Sequence, residues 1–327
     1  MEPGQLVDHY GRRHNYLRLA VTDRCNLRCT YCMGPEGVRR LDRKKILKYE
    51  EILEVVQAAA GIGIRRIRVT GGEPLVRKGL AWLIREIHRI PEIEDLSLTT
   101  NGLLLAEQAE DLHQAGLDRV NISLDSLDPA TFKAITRGGD LGRVLAGVEA
   151  ALKVGLHPIK INTVLMRGIN DHEVPNLLRL AFERPLHMRF IEYMPIGEAY
   201  SPALFLPAWF VEQTAVRMGF RLSPVGLLPG NGPARVYSLG GTGTVGFITP
   251  LSRHFCHTCN RLRLTPEGNL RPCLYWPEEL PIRPVLGNLE RIRGLFWQAV
   301  ACKPRSHQME HGGRMPAGKH CMSRIGG

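Results

Sequence analysis

Short β-branched runs alternate with amphipathic stretches through most of this chain, and that alternation limits the possible folds more than any other feature. Strand patterns fall at residues 16–22, 66–70, 96–100, 119–124, 159–165 and 188–193, with helical spacing between them at 48–61, 79–89, 105–115, 141–154 and 175–182. Strand, helix and strand joined by short connections imply parallel pairing through right-handed crossovers. Six such units predict an α/β fold, a partial β/α barrel open at one side over about residues 12–200; a flat doubly wound sheet suits the same periodicity. Beyond residue 193 the rhythm fails. Residues 194–207 are rich in Pro and Gly, 208–219 read as a helix, and the Gly/Pro-rich stretch 223–246 leads into a hairpin of 235–238 with 244–248. A transition there divides the chain into residues 1–200 and a C-terminal region, 201–327.

Composition excludes some functions. The chain has 327 residues, 44% hydrophobic and 23% charged, enough for a large core and ordinary for a globular protein. No apolar run reaches eighteen, and Asp8, Arg12, Arg13, Arg18, Asp23 and Arg24 interrupt any signal-peptide core, so a cytoplasmic location is expected. The net charge of +11 suits acidic partners: nucleic acid, a membrane surface or a polyphosphate. Basic residues are scattered without a block of five like charges, and aromatics make up only 6%, which argues against a nucleic-acid groove.

The eight cysteines form two triplets and two singles, Cys302 and Cys321. Cys25, Cys29 and Cys32 give C-x3-C-x2-C directly after the first strand, where α/β folds place their sites. Three thiols fit a cubane iron–sulfur cluster with one iron left open, or a zinc knuckle completed from elsewhere. Cys256, Cys259 and Cys273 give C-x2-C-x13-C, which fits a second cluster or a zinc ribbon using His254 or His257. Arg18, Arg68, Lys160 and Arg189 lie in predicted strands. Each alone is best read as outward-pointing, but four on separate strands favour a phosphate-binding interior. Thr70-Gly71-Gly72-Glu73-Pro74 reads as a tight turn that allows close backbone approach, and Thr99 to Gly102 as a helix cap or a polar ligand contact. Arg261 and Arg263 put positive charge beside the second triplet.

The first triplet, with Tyr31 before its third cysteine, resembles the signature of radical S-adenosylmethionine (SAM) enzymes. Taken with Gly71-Gly72-Glu73-Pro74, Asn121-Ile122-Ser123-Leu124-Asp125, Phe247-Ile248-Thr249-Pro250, the second triplet and the terminal Gly326-Gly327, nearly the whole chain resembles one such family, the GTP 3',8-cyclases of molybdenum cofactor biosynthesis. The resemblance implies that Cys25, Cys29 and Cys32 hold a [4Fe–4S] cluster whose open iron takes the amino and carboxylate groups of SAM, with Tyr31, Gly72, Ser123 and Met194 around the cofactor. It implies a second [4Fe–4S] cluster on Cys256, Cys259 and Cys273 that touches guanine. GTP would be bound by Arg18, Arg68, Thr99, Lys160, Arg189, Arg261 and Arg263. Arg261 and Arg263 would also act in catalysis, with Gly326 and Gly327 reaching into the site. A deoxyadenosyl radical would take the 3' hydrogen of GTP, C3' would attack C8, and one electron would complete (8S)-3',8-cyclo-7,8-dihydroguanosine 5'-triphosphate. The implied partners are GTP, SAM, a flavodoxin- or ferredoxin-type electron donor and the downstream cyclic pyranopterin monophosphate synthase. Neither nucleic acid nor membrane is among them, and a homodimer is admitted. Met33-Gly34-Pro35 departs from the family's usual Met-Pro, residues 275–293 look atypical, and Cys302 and Cys321 match no ligand position. Two rivals remain: a peptide-modifying radical SAM enzyme with an auxiliary cluster, and a zinc-stabilised nucleic-acid-binding protein.

Overall fold

The computed structural model describes residues 5–196, 200–226, 232–309 and 322–326. Six parallel strands form its centre: β1 (Tyr16–Ala20), β2 (Arg66–Thr70), β3 (Asp95–Thr100), β4 (Arg119–Ser123), β5 (Lys160–Leu165) and β6 (His187–Glu192), each hydrogen-bonded to the next. Helices α1 (Tyr49–Ala60), α2 (Leu80–His88), α3 (Leu105–Gln114), α4 (Pro129–Thr136), α5 (Leu141–Val154) and α6 (Val174–Glu183) provide the crossovers. The expected α/β partial barrel is present, with strand and helix limits within a few residues of those read from periodicity.

Alternation along each strand sorts side chains to opposite faces. Leu17, Leu19, Ile67, Val69, Leu96 and Leu98 join the buried apolar cluster with Val55 and Val56 of α1 and Leu83 and Ile84 of α2. The intervening positions carry Arg18, Arg68 and Ser97, all 9% exposed or less. Polar residues therefore occupy an interior that an ordinary core would fill with aliphatics.

The chain beyond α7 (Trp209–Arg217) completes both edges of this sheet. β9 (Thr244–Ile248) pairs parallel with β6, and β8 (Arg235–Ser238) forms with it the hairpin predicted at those residues, with two-residue β7 (Ser223–Pro224) outermost. At the other edge β10 (Arg261–Leu264) pairs parallel with β1, followed by β11 (Asn269–Arg271) and β12 (Leu280–Pro281). One twelve-stranded sheet results. Two elements carry weak sequence signals. α4 has only eight residues and is set by Pro129 in its first turn and by Asp128, which accepts from Thr131 N at 2.7 Å. α8 (Leu289–Ala301) starts inside the Pro-rich stretch, is capped by Asn288 accepting from Arg291 N at 3.0 Å, and buries Ile292, Phe296, Ala299 and Val300. Among the described residues no helix is long and apolar enough to cross a membrane.

Candidate active site

The loop after β1 carries the first triplet and lies against the loop after β2. Gly72 N donates to Thr22 O at 2.8 Å, and Glu73 N to Arg24 O at 2.7 Å. A Cβ on Gly71 would sit 2.5 Å from Thr22 O, and one on Gly72 2.4 Å from Arg24 O. Glycine is needed here because two backbones meet, and since the Gly72 N–H is engaged, a ligand contact falls to its carbonyl oxygen. α4 braces the far side of the loop, where Arg28 N and Thr30 N donate to Thr136 O and Ile135 O.

Two buried carboxylates organise the surroundings. Glu73 accepts from Leu75 N at 3.0 Å, Thr100 Oγ1 at 2.8 Å and Asn101 N at 2.7 Å, tying the β2 loop to the end of β3. Burial pushes its carboxyl up to about 7, against these three hydrogen bonds. Asp125 accepts from Tyr31 Oη at 2.8 Å and from Val164 N at 2.8 Å, and burial raises it to about 6. Tyr31 is thereby aimed across the cavity mouth. Burial also raises the thiols of Cys25 and Cys29, the latter further raised by Asp125 and Cys25. Clustered thiols, two of which burial keeps protonated, are suited to a cation that neutralises them as thiolates, and a cluster satisfies that requirement.

Beside the loop lies a cavity with about 1490 Å³ of empty space, the open solvent at its mouth included. Cys25, Cys29, Cys32, Tyr31, Gly72, Thr99, Ser123 and Met194 line it, together with Arg18, Arg68, Arg189, Arg261 and Arg263. Parallel register explains the arginines. Arg18 lies level with Arg263 of β10 on one side and with Arg68 of β2 on the other. Neighbouring like charges destabilise a sheet unless something offsets them. Burial and then Arg263 and Arg68 drive the Arg18 value well down; Arg189 falls to about 9 through burial and Arg68, and Arg263 to about 9 through burial and Arg261. The Arg68 guanidinium donates to Ser97 Oγ at 3.2 Å and to the amide oxygen of Asn121 at 2.9 Å. Arg189 Nε, Asn162 Oδ1 and the Tyr16 hydroxyl are buried without a hydrogen-bond partner among the described residues. The Arg189 and Tyr16 donors suit an anionic ligand, and the Asn162 amide oxygen suits a hydroxyl or amino donor on it.

Lys160 is the exception among the basic residues expected here. It is fully buried, does not line the cavity, and pairs in register with Asn121 and His187, one layer below the Asn162–Arg189 row. Burial followed by Arg189 and Arg119 lowers its ammonium to about 5. Its i+2 neighbour Asn162 shares its face and lies nearer the strand's C-terminal end, where the site is, so the alternation alone would have singled out that residue.

The second triplet brackets the β10–β11 hairpin. Cys256 opens a 3-10 turn, Cys259 N donates to Cys256 O at 3.1 Å, and Cys273 follows β11 by two residues. Its neighbours Phe255, Arg261 and Leu274 line the cavity. Cys256 is raised by burial, then by the nearby Cys273 and Cys259 thiols. Burial would raise Cys259 as well, but Arg261 and Lys303 outweigh it and bring it down to about 6. His254, Cys256 and His307 bring ligand atoms within 4.8 Å of one another. His307 Nδ1 accepts from Met309 N at 3.2 Å. The zinc alternative drew its fourth ligand from His254 or His257, and of these His254 lies in this group.

The tail returns to the site. α9 (Met322–Ile325) places Met322 and Ser323 on the cavity wall, and Arg263 Nη1 donates to Ile325 O at 3.1 Å and to Gly326 O. Gly326 has φ +72°, and a Cβ there would lie 2.6 Å from Thr70 Cγ2. Gly327 and Cys321 lie outside the described residues.

Comparison with known proteins agrees with this geometry. Residues 19–181 match the radical SAM superfamily, and residues 186–309 match the family described as Molybdenum Cofactor Synthesis C. Curated relatives called GTP 3',8-cyclase include those of Pelotomaculum thermopropionicum and Moorella thermoacetica, each 51% identical over 98% of this chain and 100% of the relative. That of Petrotoga mobilis is 47% identical over the same shares. Among solved structures, SuiB of Streptococcus suis superposes with a TM-score of 0.63 at 13% identity, over 87% of this chain and 67% of SuiB, a likeness of fold.

Proposed function

The chain belongs to the GTP 3',8-cyclase family of radical SAM enzymes, and from that premise we propose how its own residues divide the work. The reaction is conversion of GTP to (8S)-3',8-cyclo-7,8-dihydroguanosine 5'-triphosphate, the first step of molybdenum cofactor biosynthesis. The observation that carries the site assignment is the register row Arg263–Arg18–Arg68, with Arg189 of β6 lining the same cavity as the first triplet. Arg18, Arg68 and Arg189 hold the triphosphate, since several arginines can grip phosphate oxygens in pairs and the anion removes their mutual repulsion.

Cys25, Cys29 and Cys32 hold the SAM cluster, and Cys256, Cys259 and Cys273 hold the second one. When bound, the first cluster supplies the electron that cleaves SAM and the second offers an open iron to guanine. Tyr31, oriented by Asp125, with the Gly72 carbonyl, Ser123 and Met194, positions SAM. Thr99 and Asn162 face the sugar between the phosphate grip and the cofactor. Lys160 acts from beneath, as a buried side chain one layer below the Asn162–Arg189 row. Arg261 and Arg263 steady the base end, and Gly326, whose carbonyl Arg263 holds, closes the cavity on that side. Enclosure by Met322 and Ser323 excludes water that would quench a radical.

The functional division is drawn at residue 200, whereas one family match ends at 181 and the other begins at 186. Residues 1–200 carry the first triplet and the phosphate grip, and 201–327 carry the second triplet and the base end. A flavodoxin- or ferredoxin-type donor, delivery of product to cyclic pyranopterin monophosphate synthase, a cytoplasmic location and a homodimer belong to this reading on family membership alone. Anaerobic incubation with GTP, SAM and dithionite tests it: 5'-deoxyadenosine and the cyclic nucleotide accumulate together. Deoxyadenosine that appears only when another substrate replaces GTP overturns it.

A further inference from the structure

The C-terminus of α8 brings a lysine to the second triplet. Lys303 is 4% exposed, and its N–H donates to Val300 O at 3.2 Å, so the side chain leaves the last turn of the helix, where the partial negative charge of the helix end favours a cation. Its Nζ donates to Arg261 O at 2.6 Å and to Pro272 O at 2.6 Å. Those carbonyls belong to the residue two beyond Cys259 and the residue just before Cys273. One ammonium therefore fixes both strands of the hairpin that carries two of the three thiols.

The balance of charge around it is unusual. The neighbouring Arg12 crosses the same turn, donating to Cys256 O at 2.9 Å and to Pro304 O at 2.7 Å, and it is neutralised by Asp8 at 2.6 Å. Among the described residues no carboxylate pairs with Lys303, and the groups of opposite sign acting on it are the sulfurs of Cys259 and Cys273. A buried ammonium without a counter-ion costs several kcal/mol, so a structural clip alone would be better made by a neutral donor. Lys303 requires an anion, and the thiolate-ligated group of the second triplet is the one within its reach.

We propose that Lys303 is the positioning residue of the second cluster: its two carbonyl bonds set the Cys259–Cys273 spacing, and its buried charge raises the cluster's reduction potential. The inference rests on the assignment of Cys256, Cys259 and Cys273 as ligands. Net charge and hydrogen bonding around a cluster are what set its potential, so a fixed cation behind two of its thiolates favours the reduced form.

The test uses the full chain carrying Cys25→Ala, Cys29→Ala and Cys32→Ala, so that iron and sulfide taken up anaerobically report the second triplet alone. Iron content and an EPR-monitored redox titration are read for this parent and for three variants. Lys303→Gln keeps a donor without charge: iron is retained and the potential moves to more negative values. Lys303→Arg keeps the charge and holds the potential near the parent's. Lys303→Met removes both and loses most of the iron. A Lys303→Gln potential equal to the parent's overturns the inference, as does a Lys303→Met protein with full iron and an unchanged potential. If the parent takes up no iron, the ligand assignment falls and the inference falls with it. Circular dichroism of each variant separates loss of iron from loss of fold, and the Arg and Gln variants decide the matter if the Met variant does not fold.

Discussion

Arg189 and Glu73 are both buried and charged at neutral pH only at a cost, but the cost is relieved in different ways. Arg189 presents an unpartnered Nε to the cavity, which a phosphate oxygen satisfies. Charge-assisted hydrogen bonds contribute about 1.5–3 kcal/mol. Arg189→Met is accordingly expected to raise KM for GTP by roughly tenfold to a hundredfold, with deoxyadenosine formation in the absence of GTP unchanged; steady-state kinetics check this, and an unaltered KM removes Arg189 from the phosphate grip. Glu73 is satisfied by its own chain, yet burial raises it from 4.5 to about 7. The folded carboxyl holds its proton more tightly than the unfolded one, so its contribution is fullest below pH 4.5 and is lost as pH rises through 7, a change on the order of 3 kcal/mol. Relative to wild type, the Glu73→Gln apoprotein is expected to gain stability by that order between pH 4.5 and 7.5 in chemical denaturation, and a difference constant with pH contradicts it. The cysteines and the strand arginines were legible in the sequence because residue type and spacing carry their chemistry. Glu73, Asp125 and Lys303 were not, because their roles come from burial and from partners 28 to 94 residues away, which only the folded chain brings close.

Among the elements, α9 shows how a segment without apolar periodicity acquires a place. Its four residues are held by Arg263 through Ile325 O and Gly326 O, and by Arg324 Nη2 donating to Arg39 O at 2.6 Å. Gly326 ends the helix in the left-handed region, which costs a residue with Cβ about 1–2 kcal/mol. Thr70 Cγ2 would add a clash at 2.6 Å. Gly326→Ala is therefore expected to dislodge the tail and lower kcat about tenfold or more, with both clusters and the overall fold intact; a variant of wild-type kcat contradicts the tail's role. The tail carries no packing pattern in its sequence because it is held by backbone carbonyls, which every residue type supplies. The β/α alternation was legible for the opposite reason: each strand and helix buries its own stripe, and the stripe is written in residue type. α4 escaped notice because eight residues give barely two turns of periodicity, and α8 because prolines precede it.

For the molecule as a whole, the two family matches share one sheet: β9 and β10, both from the C-terminal region, pair with β6 and β1 at its opposite edges. Separating the regions would expose two parallel edges and the cavity row at once. The apoprotein is expected to unfold in a single transition, with near-ultraviolet and far-ultraviolet signals coincident in denaturant; two resolved transitions would make the regions independent. The row Arg263–Arg18–Arg68 has a further consequence, for how the enzyme responds to salt. With the nucleotide absent, mobile anions entering the open cavity screen the row, so raising ionic strength from about 0.05 to about 0.5 M increases the melting temperature. With GTP bound the row is already neutralised, and the same salt competes with the triphosphate and lowers it. A single structural feature thus gives ionic strength opposite signs in the two states, with the melting curves converging at the salt concentration where mobile anions displace the nucleotide.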